Sequence, residues 1–154
     1  MAVNRGKQFE QKFKEDFLKL PNSTIDRLYD TMSGYKAISQ VSDFIAYRYP
    51  NIFYVECKSH KGASIPINNI TQYDSLLSKV GIMGVRCGVV LWLYEKDVVL
   101  YIPIQTVKQL KDDGEKSIGL RHLDNYRIIN IPSVKKRVFM DSDYSVLSNL
   151  EDGD

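Results

Sequence analysis

At 154 residues and 17.7 kDa, the chain has room for one domain and little for a second core. With 44% hydrophobic and 26% charged residues it is not largely disordered, and no apolar run approaches the roughly 20 residues of a membrane-spanning helix. The net charge is only +2, but residues 1–140 hold 21 bases against 14 acids, which suits a polyanionic partner and equally an ordinary solvated surface.

Phe9, Phe13, Phe17 and Leu20 recur at helical spacing after Asn4-Arg5-Gly6, with Lys7, Lys12, Lys14 and Lys19 between them. This predicts an amphipathic first helix, stopped by Pro21-Asn22-Ser23. Ile25 to Tyr29 reads as a short strand, and Thr31 to Gln40 as a loop or projecting arm. The aromatic and β-branched runs 41–47 and 52–58, separated by Tyr49-Pro50-Asn51, predict an antiparallel hairpin. Ser59 to Asn68 is expected as a loop, and Asn69 to Val80 as a second helix with Ile70, Tyr73, Leu76, Leu77 and Val80 on one stripe. Strands follow at Val85 to Tyr94 and Val98 to Ile102 around the turn Glu95-Lys96-Asp97, then a third helix from Ile104 to Leu110. Edge strands are expected at 128–131 and 137–140, and a short closing helix from Asp143 to Leu150. The order implies an α/β fold with a mixed central sheet flanked by helices. Residues 1–140 read as the single domain, and 141–154, with Asp141, Asp143, Glu151, Asp152, Asp154 and no base, as an acidic and partly flexible end.

The chemistry concentrates in Asp43 and the run Glu56-Cys57-Lys58. On a strand Glu56 and Lys58 point the same way, roughly 7 Å apart, while Cys57 points to the opposite face. Hairpin pairing lets Asp43 approach Glu56. Neighbouring carboxylates repel, burial raises the cost of ionising both, and a divalent cation relieves it. Carboxylates, a backbone carbonyl and phosphate oxygens are what Mg²⁺ prefers. Lys58 beside them would orient a water or stabilise phosphorane charge. That set suits phosphodiester hydrolysis, and spacing alone fits an exposed Glu56–Lys58 ion pair on an ordinary hairpin equally well. Glu10 on the first helix and Gln72 at the start of the second offer a third carboxylate and a neutral donor, or simply surface polarity.

Taken together, these residues resemble the PD-(D/E)xK nuclease core. Asn4-Arg5-Gly6 with Glu10 is similar to the first motif of the RecU-type Holliday junction resolvases, and Ser64-Ile65-Pro66-Ile67-Asn68-Asn69-Ile70 with Gln72 to that family's loop and helix after its Glu-x-Lys strand. Arg27-Leu28-Tyr29-Asp30, Val41-Ser42-Asp43-Phe44-Ile45 and Lys116-Ser117-Ile118 resemble its phage-borne branch, so the likeness runs from about Asn4 to Met140. It implies a restriction-endonuclease-like fold and a homodimeric, Mg²⁺-dependent endonuclease that nicks opposed strands of a four-way DNA junction, Mn²⁺ being a substitute. It further implies Glu10, Asp43, Glu56 and the Cys57 carbonyl as metal ligands, Lys58 as the catalytic lysine, Gln72 as a positioning group for water or phosphate, and Arg27 as a DNA contact. Bacterial members carry a long stalk that enters the junction; here only Thr31 to Gln40 fills that interval, a departure that bears on how a junction is opened. The alternatives are another nuclease of this core, acting on flaps, nicks or duplex sites, and a non-catalytic DNA-binding module.

Arg5 and Lys7 on the first helix, Lys36 and Lys61 in the loops, and the dense run Lys135-Lys136-Arg137 are the candidate phosphate contacts. Tyr35 in the arm is the candidate for stacking on an unpaired base. His60 and His122 stand apart with no zinc-ligand spacing, no phosphate-binding Gly-x(4)-Gly-Lys run is present, and no nucleotide cofactor is expected. The polar opening Met1 to Lys7 has no signal-peptide centre, and Cys57 and Cys87 are expected as reduced thiols in the cytoplasm of a bacterial cell, the protein being either that cell's own or a phage's.

Overall fold

The computed structural model describes residues 4–28, 32–33, 36–37 and 41–150. Regular structure starts where the Asn4 side chain accepts a hydrogen bond from the Lys7 amide (3.1 Å), satisfying one of the free donors of helix α1 (Arg5–Leu18). Phe9, Phe13 and Phe17 come round to one face of α1, and all three are buried. The chain continues through β1 (Ser23–Arg27), the two-residue strands β2 (Met32–Ser33) and β3 (Lys36–Ala37), and the hairpin β4 (Phe44–Arg48) and β5 (Asn51–His60). Then come β6 (Ser64–Pro66), a 3₁₀ turn Ile67–Asn69, α2 (Tyr73–Leu77), β7 (Val85–Leu93), β8 (Val98–Pro103) and α3 (Ile104–Asp112). The last elements are β9 (Ser117–Gly119), β10 (Ile129–Ile131), the ribbon β11 (Ser133–Lys135) and β12 (Met140–Ser142), and a 3₁₀ segment Tyr144–Asn149.

Six strands form the central sheet in the order β1-β4-β5-β7-β8-β10. Only β5 and β7 run parallel; the other neighbours are antiparallel, so the sheet is mixed, as expected. The continuous apolar run of β7 reads as a strand covered on both faces. One core joins the α1 phenylalanines to Phe53, Val55, Val90 and Trp92; the other packs Leu76 of α2 and Val107 and Leu110 of α3 on Val89, Leu91 and Leu100. Because side chains alternate along β5, placing Phe53, Val55 and Cys57 in the α1 core turns Glu56 and Lys58 to the α2 side.

Several expectations need correction. The 59–68 stretch is not simply a loop: β5 extends to His60, and β6 pairs antiparallel with β9. The second helix is confined to Tyr73–Leu77: Asn69 belongs to the preceding 3₁₀ turn, and the Thr71 and Gln72 amides ahead of the helix donate to the Glu56 carboxylate. The strand expected at 137–140 is shifted to Met140–Ser142 and pairs with β11, away from the central sheet. Packing also runs past residue 140, since Tyr144, Leu147 and Leu150 are all buried; residues 151–154 lie outside the described residues. Asp16, 2% exposed, ties this end to α1 by accepting from the Ser142 amide (3.0 Å), Lys12 Nζ (2.8 Å) and Lys19 Nζ (3.1 Å). Lys12 also reaches Asp141 at 2.5 Å.

The β6–β9 contact depends on the absence of a side chain at Gly119. A Cβ there would stand 2.0 Å from the Ala63 carbonyl oxygen and 2.6 Å from Ser64 Cβ. Gly119→Ala should therefore force the clasp apart and cost about 1–3 kcal/mol, read as a lower midpoint in chemical denaturation.

Candidate active site

The site forms where β4 begins. Phe44 lies opposite Val55 in the antiparallel register, and the Asp43 amide donates to the Val55 carbonyl at 3.0 Å, which sets Asp43 beside Glu56. Beyond this point β5 has no β4 residue to pair with. The Cys57 amide donates instead to Asp43 Oδ2 at 2.8 Å. Asp43 Oδ1 accepts from Gln72 Nε2 at 3.2 Å, so one carboxylate bridges the hairpin to the start of α2.

Glu56 is 1% exposed, and a carboxylate so deeply placed needs partners. Its Oε1 accepts from the Thr71 amide (3.2 Å) and hydroxyl (3.1 Å), its Oε2 from the Gln72 amide (3.3 Å), and Lys58 Nζ stands 3.3 Å from Oε1. Glu10, partly buried on α1, faces the same end of the sheet. The Arg27 guanidinium of β1 grips it, Nε to Oε2 at 3.1 Å and Nη2 to Oε1 at 3.4 Å. Arg27 Nη1 donates to the carbonyls of Leu28 and Asp43, the latter at 3.1 Å, and the guanidinium carbon lies 5.4 Å from the centre of the Phe44 ring.

Burial pushes the Glu10 carboxyl up, against the pull of Arg27 and with the Asp43 charge adding to the rise. Burial raises Glu56 likewise, opposed by Lys58 and reinforced by Asp43. Burial, then Asp43 and Glu10, drives the Cys57 thiol well up, and burial takes Cys87 to about 11; both are free cysteines and neutral at ordinary pH. Thus Glu10, Asp43 and Glu56 share one electrostatic neighbourhood. Even so, among the described residues no group of three His, Cys, Asp or Glu side chains is placed to hold a metal ion as it stands. Their oxygens are turned onto protein donors. The donor set nonetheless fits a hard cation: it offers only oxygens, and Gln72 Oε1 is a buried acceptor with no hydrogen-bond partner.

The basic candidates fare unevenly. Arg5 lies over the Tyr94 ring at 4.4 Å, and Lys7 and Lys61 are exposed. Lys36 falls in β3, and Tyr35 lies outside the described residues. Arg27 is paired with Glu10. Lys135 and Lys136 are engaged by Asp97 (2.5 Å) and Asp141 (3.8 Å), which leaves exposed Arg137 as the member of that run without a carboxylate partner among the described residues. Sequence reasoning missed Thr71, whose place beside Gln72 was the available signal. Lys111 and Lys116, on either side of the turn that ends α3, were not among the expected basic residues, and Glu115 lies between them. With Asn68 and Gly114 these lysines line a cavity of about 320 Å³ against the loop that leads to Gln72, and Lys111 Nζ sits 4.0 Å above the Tyr73 ring. Another cavity, about 370 Å³ around Arg121 and His122, is lined by none of the expected site residues.

No family model and no curated protein matches the chain. Among solved structures it is similar to Hjc of Archaeoglobus fulgidus, a Holliday junction resolvase from an archaeal hyperthermophile, with a TM-score of 0.58 over 79% of this chain and 93% of that one, at 16% identity. The fold is restriction-endonuclease-like. At this identity the likeness concerns architecture.

The raised carboxyls have a pH consequence. With folded values above the ordinary one, Glu10 and Glu56 favour the fold fully at pH below the ordinary glutamate value, and that contribution is lost as pH rises through the raised values. A cation pairs with the ionised carboxylates, so protonation competes with it. The rise in unfolding temperature on adding Mg²⁺ should accordingly be small near pH 5 and larger near pH 8, measured by scanning calorimetry.

Proposed function

We propose that the protein is a Mg²⁺-dependent structure-selective endonuclease, a Holliday junction resolvase of the RecU type, with Mn²⁺ as a substitute ion. The observation that carries this reading is Asp43 set beside buried Glu56, with Lys58 3.3 Å from the latter, at the open end of the hairpin. The solved neighbour of the same architecture is a junction resolvase, which favours branched DNA as substrate over other phosphodiesters.

Asp43, Glu56, Glu10 and the Cys57 carbonyl would hold the ion, which when bound supplies Lewis-acid polarisation of the scissile phosphate. Lys58 brings an ammonium to the same face of β5, where it orients the attacking water and offsets charge growing on the phosphate. Gln72 fixes Asp43 through its amide nitrogen and presents Oε1 to water or substrate. Attack is in line and expels the 3′ oxygen. Two symmetric cuts require two copies of the site, hence a homodimer. Arg5, Lys7, Lys61 and Arg137, joined by Lys111 and Lys116, neutralise phosphates around the scissile group.

A labelled four-way junction, incubated with and without Mg²⁺ beside nicked, flapped and plain duplexes, tests the reading. Paired symmetric nicks confined to the junction are expected; cleavage of flaps or nicks alone would assign another nuclease, and binding without cleavage a non-catalytic module. Asp43→Asn removes a ligand and no phosphate contact, so cleavage should fall by about 100-fold or more while junction affinity stays within about twofold. Replacing Lys111 and Lys116 by glutamine should weaken binding across DNA sequences and lower the salt slope of log K by about 1 for each phosphate no longer neutralised.

A further inference from the structure

Every carboxylate oxygen of Glu10, Asp43 and Glu56 already accepts from a protein donor, but the donors differ in kind. Asp43 is held by a backbone amide and a neutral side-chain amide, and Glu56 by amides and a hydroxyl, with Lys58 3.3 Å from one oxygen only. Such oxygens retain lone pairs for a further partner. Glu10 is different. Both of its oxygens face the guanidinium of Arg27, a full positive charge against the carboxylate.

Arg27 is also no casual surface partner. Its side chain is 18% exposed, it donates to the carbonyls of Leu28 and Asp43, and it lies over the Phe44 ring. The fold therefore fixes the guanidinium between the helix that carries Glu10 and the strand end that carries Asp43.

We propose that Arg27 is the resident counter-cation of the site: it neutralises Glu10 in the metal-free protein, and a divalent ion engages Glu10 only by displacing it. This rests on the metal-dependent reading above and adds to it a positioning residue that competes with the ion. A guanidinium and a divalent cation repel at contact distance, and because Arg27 spans both oxygens of Glu10, whereas Lys58 meets only one of Glu56, an ion gains Glu10 at the expense of that grip.

The test is Mg²⁺ affinity of the full chain without DNA, by isothermal titration calorimetry. Arg27→Gln should bind Mg²⁺ roughly three- to tenfold more tightly than the parent, the effect of removing a part-buried ion pair. In a Glu10→Gln background the same substitution should no longer change the affinity. Arg27→Lys, which keeps a charge but loses the two-pronged grip, should fall between parent and Arg27→Gln, and serves if Arg27→Gln does not fold. Equal or weaker Mg²⁺ binding by the folded Arg27 variants overturns the inference and leaves the metal-dependent reading standing. A parent that binds no Mg²⁺ overturns both.

Discussion

A carboxylate removed from water has to be met by donors, and Glu56 shapes the loop around that need. At 1% exposure it draws in the Thr71 and Gln72 amides and the Thr71 hydroxyl just ahead of α2, so the start of that helix is held against β5. The loop that supplies them is pinned from behind by β6 on β9 and by the Ile67 amide on the Lys116 carbonyl (2.9 Å). Once the loop is there, Gln72 extends across to Asp43, whose second oxygen holds the first β5 amide past the end of β4. One buried charge thus links the hairpin, the loop and α2 into a single polar unit at the rim of an apolar sheet.

How much of this is legible in the residues alone depends on whether the signal is local. Phe9, Phe13 and Phe17 fall on one helical face wherever α1 docks, and the alternating hairpin fixes which way Glu56 and Lys58 turn. The pairing of Ser64–Pro66 with Ser117–Gly119 spans more than fifty residues and leaves no periodic mark, so a Pro- and Gly-containing stretch reads as loop. The second helix reads too long because Ile70, Tyr73 and Leu77 keep helical spacing even where the backbone does not. In the site, the residue types of Asp43, Glu56, Lys58 and Gln72 are readable, whereas the donors that hold them are not. Arg27 shows this best: from the sequence it is a cation for DNA, and in the fold its first obligation is to Glu10.

Charge follows the same pattern. The run Lys135-Lys136-Arg137 is the densest basic feature of the sequence, but Asp97 and Asp141 stand against its two lysines. Lys111 and Lys116, unremarkable in the sequence, lie beside the loop that feeds the site. A polyanion is recognised by what remains uncompensated after folding, and local density of lysines is a poor measure of that.

The hold of Asp16 on the chain's end has a further genetic meaning. α1 carries both Glu10 and Asp16, so the helix that brings an acid to the site is also the helix on which β12 is fastened. A survey of substitutions that disturb the site would therefore gather hits at Asp16, Tyr144 and Leu147, away from the residues that line it. Such hits would trace a mechanical dependence, the terminal ribbon acting as the buttress that keeps the first helix seated.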